Sequence, residues 1–373
     1  MTLQTVAHDA ADNKIRVMVV DDSAVVRGFI SRILQSEPRI EIVASGHNGK
    51  MAVPLAERNR PDVILLDIEM PELDGLSALP LIRAASPQTK IIMSSTLTQK
   101  NAEISLQALA LGATDYIAKP TAHEIGRAEE YHRELLEKIL GLGTQAIHER
   151  PFVQTPKPAA IRSSGLYPGT VVALRRAAKL RPRAVVIGSS TGGPPALTKL
   201  FETLPTTIDV PILIAQHMPA TFTAVLAQHI GKAAMRPCAE AKDGEPIEAG
   251  HIYIAPGDWH LELAGNGDRP KAHLTQAPPE NYCRPSVNPL FRSAAKMYGA
   301  NLLGVMLTGM GCDGLDGSRD LAAAGAPLIA QDEPTSVVWG MPGAVATAGL
   351  CTAVSPLGDI SRLIGTVFSE GRT

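Results

Sequence analysis

Four cysteines in 373 residues, Cys238, Cys283, Cys312 and Cys351, stand far apart in the sequence. No two have the spacing of a metal-binding pair, so neither a zinc site nor a disulfide framework is indicated, and a reducing cytoplasm is the expected setting. No apolar run approaches the roughly 18 residues that cross a bilayer. The opening segment, Met1 to Asn13, is polar, carries Asp9 and Asp12, and lacks the basic-then-apolar order of a secretory signal. An excess of either charge is also missing: 35 Lys and Arg against 37 Asp and Glu leave a formal net charge of −2. That removes any whole-chain attraction to nucleic acid or to a membrane. What is present is ordinary globular material, 45% hydrophobic and 19% charged, in a length that favours two or three domains.

From Ile15 to about Pro120, strand-like and helix-like stretches alternate. Ile15 to Val20, Val63 to Leu66, Ile91 to Met93 and Asp115 to Ala118 have strand patterns; Ser23 to Leu34 and Ile104 to Leu111 have helical ones, the second stopped by Gly112. The alternation predicts a doubly wound α/β domain. Asp21 and Asp22 follow the first strand, Asp67 ends the Val63 strand, Ser95 follows the Ile91 strand, and Lys119-Pro120 follows the last. Carboxyl ends of parallel strands share one edge, so these residues should converge. Three carboxylates held together repel one another unless a cation sits among them, and a hard ion such as Mg²⁺ prefers such oxygens. A carboxylate can also attack phosphorus to give an acyl phosphate; Lys119 would then neutralise phosphoryl oxygens and Ser95 could hydrogen-bond one. Capping of the next helix by Asp22 and Ser23 explains one or two of these residues but not all of them.

The string Asp67-Ile68-Glu69-Met70-Pro71-Glu72-Leu73-Asp74-Gly75 and the ending Gly112-Ala113-Thr114-Asp115-Tyr116-Ile117-Ala118-Lys119-Pro120 resemble the receiver domain of two-component response regulators. The resemblance implies a flavodoxin-like fold in which Asp67 is the phosphoacceptor and Asp21 and Asp22 hold Mg²⁺ together with it. It makes Ser95 the switch hydroxyl, Tyr116 the aromatic switch and a chemotaxis histidine kinase the phosphodonor. Receivers commonly have a cis bond at the position of Lys119-Pro120.

Glu124 to Leu140 is expected to form one long charged helix ending at Gly141 and Gly143, followed by a Pro-, Ala- and Ser-rich linker from Pro151 to Gly169. Arg175, Arg176, Lys179, Arg181 and Arg183 then form a basic cluster, readable as a solvated face or as a docking surface for an acidic partner. The expected organisation is a receiver over 14–140, a linker over 141–182 and a catalytic domain over 183–373.

Beyond Arg183 the alternation resumes, with strands near Ala184, Pro211, His251, Leu302 and Pro327, which predicts a second α/β domain with a Rossmann-like parallel sheet. Gly188-Ser189-Ser190-Thr191-Gly192 follows the Ala184 strand as a G-x-S-x-G string, whose glycines permit a sharp turn that exposes the central hydroxyl. Pro194 and Pro195 suit the first turn of the helix beyond it. Ser190 is the candidate nucleophile and Ser189 its competitor. A serine needs a base, and a base needs an orienting carboxylate. His217 directly follows the Pro211 strand, whereas His229 lies on a helical stretch, His251 precedes its strand and His260 falls in a Gly/Asp loop. Asp313 lies in the glycine-rich loop after the Leu302 strand; Asp332 is the second candidate, and Asp209 lies at the wrong end of its strand. The glycines around Asp313 could offer amides to an oxyanion. A nucleotide phosphate cradle at Gly188 to Gly193 is the competing reading, but the G-x-G-x-x-G spacing is absent.

The order Ser, His, Asp differs from that of α/β-hydrolases. Together with Gln216-His217-Met218-Pro219, Tyr253 to Asp258, Arg284-Pro285-Ser286-Val287, Leu307 to Gly311 and Gly340-Met341-Pro342, it is similar to the chemotaxis protein-glutamate methylesterases. Ser189, where alanine is common, and Cys312, where a polar residue is common, depart from the family pattern. The resemblance implies Ser190 as nucleophile, His217 as general base, Asp313 as its partner, and Met310 and Thr191 in support of the oxyanion. It also implies demethylation of glutamate methyl esters on chemoreceptors, deamidation of receptor glutamines, no metal at the hydrolase site, and a receiver that shields the site until phosphorylated. A receiver-controlled binding protein with an inactive esterase domain is the alternative.

Overall fold

The computed structural model describes residues 14–119, 128–149, 172–177 and 180–370. The expected linker from Pro151 to Gly169, Lys179 of the basic cluster, and the bond at Pro120 lie outside them. The chain divides into two compact units, Met1–Ile161 and Arg162–Thr373.

In the first unit the strands β1 (Ile15–Val20), β2 (Ile40–Gly46), β3 (Val63–Asp67), β4 (Lys90–Ser95) and β5 (Asp115–Ala118) form one parallel sheet in the order β2-β1-β3-β4-β5. Helices α1 (Ala24–Gln35), α2 (Gly49–Asn59), α3 (Gly75–Ala85) and α4 (Gln99–Ala110) connect them. The near-continuous apolar strands reflect burial on both faces; Val17 to Val20 and Val63 to Leu66 are all buried. Ser23, rather than Asp22, caps α1 by accepting the Val26 amide.

The next helix, α5 (Ala128–Glu149), does not stop at Gly141. An apolar stripe of Tyr131, Leu135, Ile139, Leu142 and Ala146 runs straight through the glycines and is buried along its length. Gly143 serves close approach: an ideal Cβ there would fall 2.3 Å from Ile15 Cγ2 on β1. Glycine weakens a helix by about 1 kcal/mol, and continued burial of the stripe offsets that.

The second unit contains a seven-stranded sheet ordered β14-β13-β12-β6-β7-β9-β8, with every pairing parallel. Its strands are β6 (Ala184–Ser189), β7 (Ile212–Gln216), β8 (Cys238–Glu240), β9 (Ile252–Ile254), β12 (Leu302–Met306), β13 (Leu328–Gln331) and β14 (Ala353–Ser355). The antiparallel hairpin of β10 (His260–Asn266) and β11 (Arg269–Thr275) is an addition to the doubly wound plan. His260, expected in a loop, opens β10 and is buried. Helices α6 (Gly193–Thr203), α7 (Ala220–Ala234), α8 (Val287–Tyr298), α9 (Leu315–Ala323), α10 (Met341–Thr347) and α11 (Leu357–Glu370) complete the unit. Two members of the basic cluster are tied to its framework, Arg175 half-buried and Arg183 still exposed. Arg175 donates to the carbonyls of Leu350 and Ala326, and Arg183 lies over the Tyr298 ring and donates to the Gly267 carbonyl. No helix among the described residues is long and apolar enough to cross a membrane.

Candidate active site and phosphoacceptor pocket

Strands β12, β6 and β7 lie side by side at the centre of the second sheet, and chain order reverses direction about β6. Ligand sites of open α/β sheets form at such a switch point. The register aligns Gly188 with Met306 and Ser189 with Gln216, so Ser190 and His217 leave the sheet at the same level. Backbone bonds continue the ladder beyond the strands: the Ser190 amide donates to the Thr308 carbonyl at 3.0 Å and the His217 amide to the Ser189 carbonyl at 3.2 Å.

Gly192 has φ of 75°, the left-handed conformation that the turn into α6 requires, and Pro194 and Pro195 occupy the first turn of that helix. The two serines of the turn differ sharply. Ser189 is wholly buried and its hydroxyl donates to Gln216 Oε1 at 2.6 Å, whereas Ser190 is half-exposed. Gln216 also donates to the Ser190 and His217 carbonyls, joining the two turns. Thr191 is buried behind the serine, its carbonyl accepting the Thr308 hydroxyl. The loop after β12 packs closely on the turn: an ideal Cβ on Gly309 would lie 3.0 Å from Ser190 Cβ, and Met310 follows in that loop.

His217 Nε2 donates to Asp313 Oδ2 at 2.7 Å, and Nδ1 lies 3.3 Å from Cys283 Sγ; neither contact is to Ser190 Oγ. Asp313 is buried and accepts four further hydrogen bonds, from the Asn281 amide group, the Ser286 hydroxyl and the backbone amides of Val287 and Gly314. Burial alone pushes a carboxyl up; the His217 ring, the Val287 amide and the Ser286 hydroxyl outweigh it and hold Asp313 down to about 2. Burial also pulls the His217 imidazole down, but its contacts with Cys283 and the Asp313 carboxylate outweigh that and raise it. Asp332 instead accepts from Thr335 in its own turn. Sequence reasoning missed Asn281, Cys283, Ser286 and Gln216 as neighbours of the site. The last two stand inside strings that carried the family resemblance, while nothing local marks the first two.

In the first unit, Lys119 Nζ lies 2.7 Å from both Asp21 Oδ2 and Asp67 Oδ1. Together with Ser95 and Thr96, Asp22, Asp67 and Lys119 line a cleft of about 180 Å³. Oxygens of Asp21, Asp22 and Asp67 all come within 4.8 Å of one another, a hard-oxygen set that could hold a divalent cation. Burial pushes Asp67 up to about 6, with Lys119 opposing and Asp21 adding to the rise; a cation would relieve that repulsion. Burial lowers the Lys119 ammonium, and its two carboxylate partners more than reverse this. Ser95 is buried with its hydroxyl 3.2 Å from that of Ser105. Tyr116 is buried beneath the Lys138 ammonium, 5.4 Å from the ring centroid.

Gly75 fixes the loop after Asp67. Its amide donates to the Ile68 carbonyl, and an ideal Cβ would fall 2.0 Å from the Asp67 carbonyl oxygen. Gly75→Ala must therefore move backbone beside Asp67. It is expected to cost the first unit roughly 2 kcal/mol, read as a lower midpoint of its unfolding transition, and an unchanged midpoint would contradict the close approach.

A protein-glutamate methylesterase/protein-glutamine glutaminase 1 of Rhodospirillum rubrum is 49% identical over 367 residues, which cover 94% of this chain and 94% of that relative. The chain belongs to the CheB methylesterase family. The family model described as CheB methylesterase matches residues 185–364, and that of the response regulator receiver domain matches residues 17–128. A methylesterase/glutaminase of the group 2 operon of Rhodospirillum centenum is 50% identical, over 95% of this chain and 94% of that relative. The Thermotoga maritima CheB methylesterase catalytic domain is 38% identical and covers 50% of this chain and 98% of its own, with a TM-score of 0.48.

Proposed function

We propose that this chain is a phosphorylation-activated serine hydrolase that demethylates glutamate methyl esters of chemoreceptors, and deamidates receptor glutamines by the same route. In this reading the receiver spans 14–140 with the remaining turns of α5, the segment to 182 connects, and 183–373 carries the esterase, with the cytoplasm as its setting. The observation that carries it is the Asp313–His217 pair, contributed by the segments that follow the two strands flanking the one that bears Ser190.

With Nε2 held by Asp313, Nδ1 is the nitrogen that can leave Cys283 and turn to Ser190. It takes the hydroxyl proton as Ser190 Oγ attacks the ester carbonyl, then returns it to the departing methanol. For a glutamine the leaving group is ammonia. Water activated by the same nitrogen hydrolyses the acyl-enzyme. The Met310 amide and the amino end of α6 would supply the donors that stabilise the developing oxyanion. Hydrolysis requires no metal in this scheme.

Asp67 is the phosphoacceptor, with a histidine kinase as its natural donor. Lys119 pairs with the incoming phosphoryl oxygens and the Ser95 hydroxyl leaves Ser105 to meet one, while Tyr116 is the aromatic switch. Asp21, Asp22 and Asp67 would hold Mg²⁺, which when bound neutralises charge on the transferred group.

The test is methanol release from methylated receptor, with and without acetyl phosphate and Mg²⁺. The phosphodonor is expected to raise the rate about tenfold, and Asp67→Ala to abolish the rise while keeping the basal rate. An equal response in Asp67→Ala would remove Asp67 from the control, and no methanol release under any condition would remove the esterase.

A further inference from the structure

Residues 280–283 form a tight turn in which Glu280 and Cys283 bridge and the Cys283 amide donates to the Glu280 carbonyl at 2.9 Å. Between them Asn281 and Tyr282 have φ of 50° and 62°, left-handed values that cost energy in non-glycine residues. The turn is held by the ion pair of Glu280 with Arg292 on α8, and by Asn281 donating to Asp313 Oδ1 at 3.1 Å. The outcome is a half-buried Cys283 whose thiol faces His217 Nδ1 at 3.3 Å, while Nε2 of the same ring holds Asp313 at 2.7 Å. Thiol, imidazole and carboxylate thus form a relay of the kind that activates a cysteine: a base within reach of the sulfur, steadied by a third group. The remaining cysteines have other settings. Burial pushes the thiols of Cys238 and Cys351 up to about 12, and Cys312 is exposed.

We propose that Cys283 is a modification site within the catalytic centre, where hydroperoxides and soft electrophiles react with the sulfur and so take His217 away from Ser190. His217 Nδ1 accepts the thiol proton. The thiolate sulfur attacks the distal oxygen of a hydroperoxide; the S–O bond forms, the O–O bond breaks, and the departing alkoxide (hydroxide, for hydrogen peroxide) takes the proton from the imidazolium. Sulfur is oxidised by two electrons to the sulfenic acid and the peroxide is reduced to an alcohol or water. The added oxygen fills the space against Nδ1, the nitrogen that must serve Ser190. A thiol reductant reverses the change, first forming a mixed disulfide with loss of water and then releasing Cys283 by exchange. The loss of esterase activity rests on the roles proposed for Ser190 and His217; the reactivity of Cys283 does not.

The experiment treats the full chain briefly with iodoacetamide and follows each cysteine by peptide mass. Cys283 is expected to label ahead of the more exposed Cys312, and to slow about tenfold or more in His217→Gln. Peroxide should lower methanol release of the wild type about tenfold, with recovery in dithiothreitol, while Cys283→Ser keeps its own untreated rate. Labelling of Cys283 no faster than Cys312, or at the same rate in His217→Gln, would overturn the proposal, as would equal peroxide inactivation of Cys283→Ser. Were methanol release absent altogether, the order of labelling would still decide the reactivity of Cys283 and only the esterase reading would fall.

Discussion

Ser190→Ala is expected to lower methanol release from methylated receptor by roughly 10⁴-fold or more, because loss of a serine nucleophile removes the covalent route and leaves only the oxyanion contribution. The fold should survive. The Ser190 backbone supplies the bonds to Thr308 and Gln216, and alanine keeps both. Acetyl phosphate should still phosphorylate Asp67 in the variant, which shows that the first unit is intact. Ser189→Ala makes the comparison sharp. It deletes a buried hydroxyl bonded to Gln216 Oε1, leaves that oxygen short of a partner, and should cost stability of about 1 kcal/mol with far less effect on turnover. If Ser189→Ala were the inactive variant and Ser190→Ala the active one, the nucleophile would have to be reassigned. If neither mattered, the mechanism would not be that of a serine hydrolase.

Asp313→Asn should cost about 10⁴-fold in kcat through loss of the carboxylate that fixes the His217 ring, and unlike Ser190→Ala it should also destabilise the protein. Asp313 accepts five hydrogen bonds, and an amide presents one oxygen and two N–H groups to the same donors. Some of these donors are then left buried and unpaired. The pH dependence of stability should change with a definite sign. A carboxyl held down to about 2 from its ordinary 3.8 stabilises the folded state above 3.8, and that stabilisation is lost as pH falls through about 2. Acid unfolding of Asp313→Asn should lack this contribution, leaving a shallower slope between those values. Retention of kcat within tenfold would exclude Asp313 as the orienting group.

Much of this was legible in the sequence because the chemistry sits where periodicity breaks. Ser190, His217 and Asp67 each stand at the end of an apolar run, and adjacent parallel strands do the rest. The helix runs past Gly141 because a glycine pair stops a helix only where no packing gain opposes it, and here the buried stripe from Tyr131 to Ala146 continues, with Gly143 against Ile15 of β1. The hairpin of β10 and β11 had a signal, since Asn266-Gly267-Asp268 follows the alternating His260 to Leu263, but it interrupts a βα rhythm that made a loop the natural expectation. Cys283 was legible only as one of four scattered cysteines. Its contact with His217 depends on left-handed backbone at Asn281 and Tyr282, residues that carry no glycine to advertise a turn.

The hydrogen-bond ladder that continues past the strand ends has a consequence for the kind of control the enzyme can use. The amides of Ser190, His217 and Leu307 are tied to carbonyls of Thr308, Ser189 and Gly188 at the middle of a seven-stranded sheet. Protons on such amides are expected to exchange with solvent late. The backbone that carries Ser190 and His217 is thus expected to be among the slowest-opening parts of its unit. Control is then expected to fall on what reaches the site and on how the His217 ring is engaged, with this framework the same in the silent and the active states.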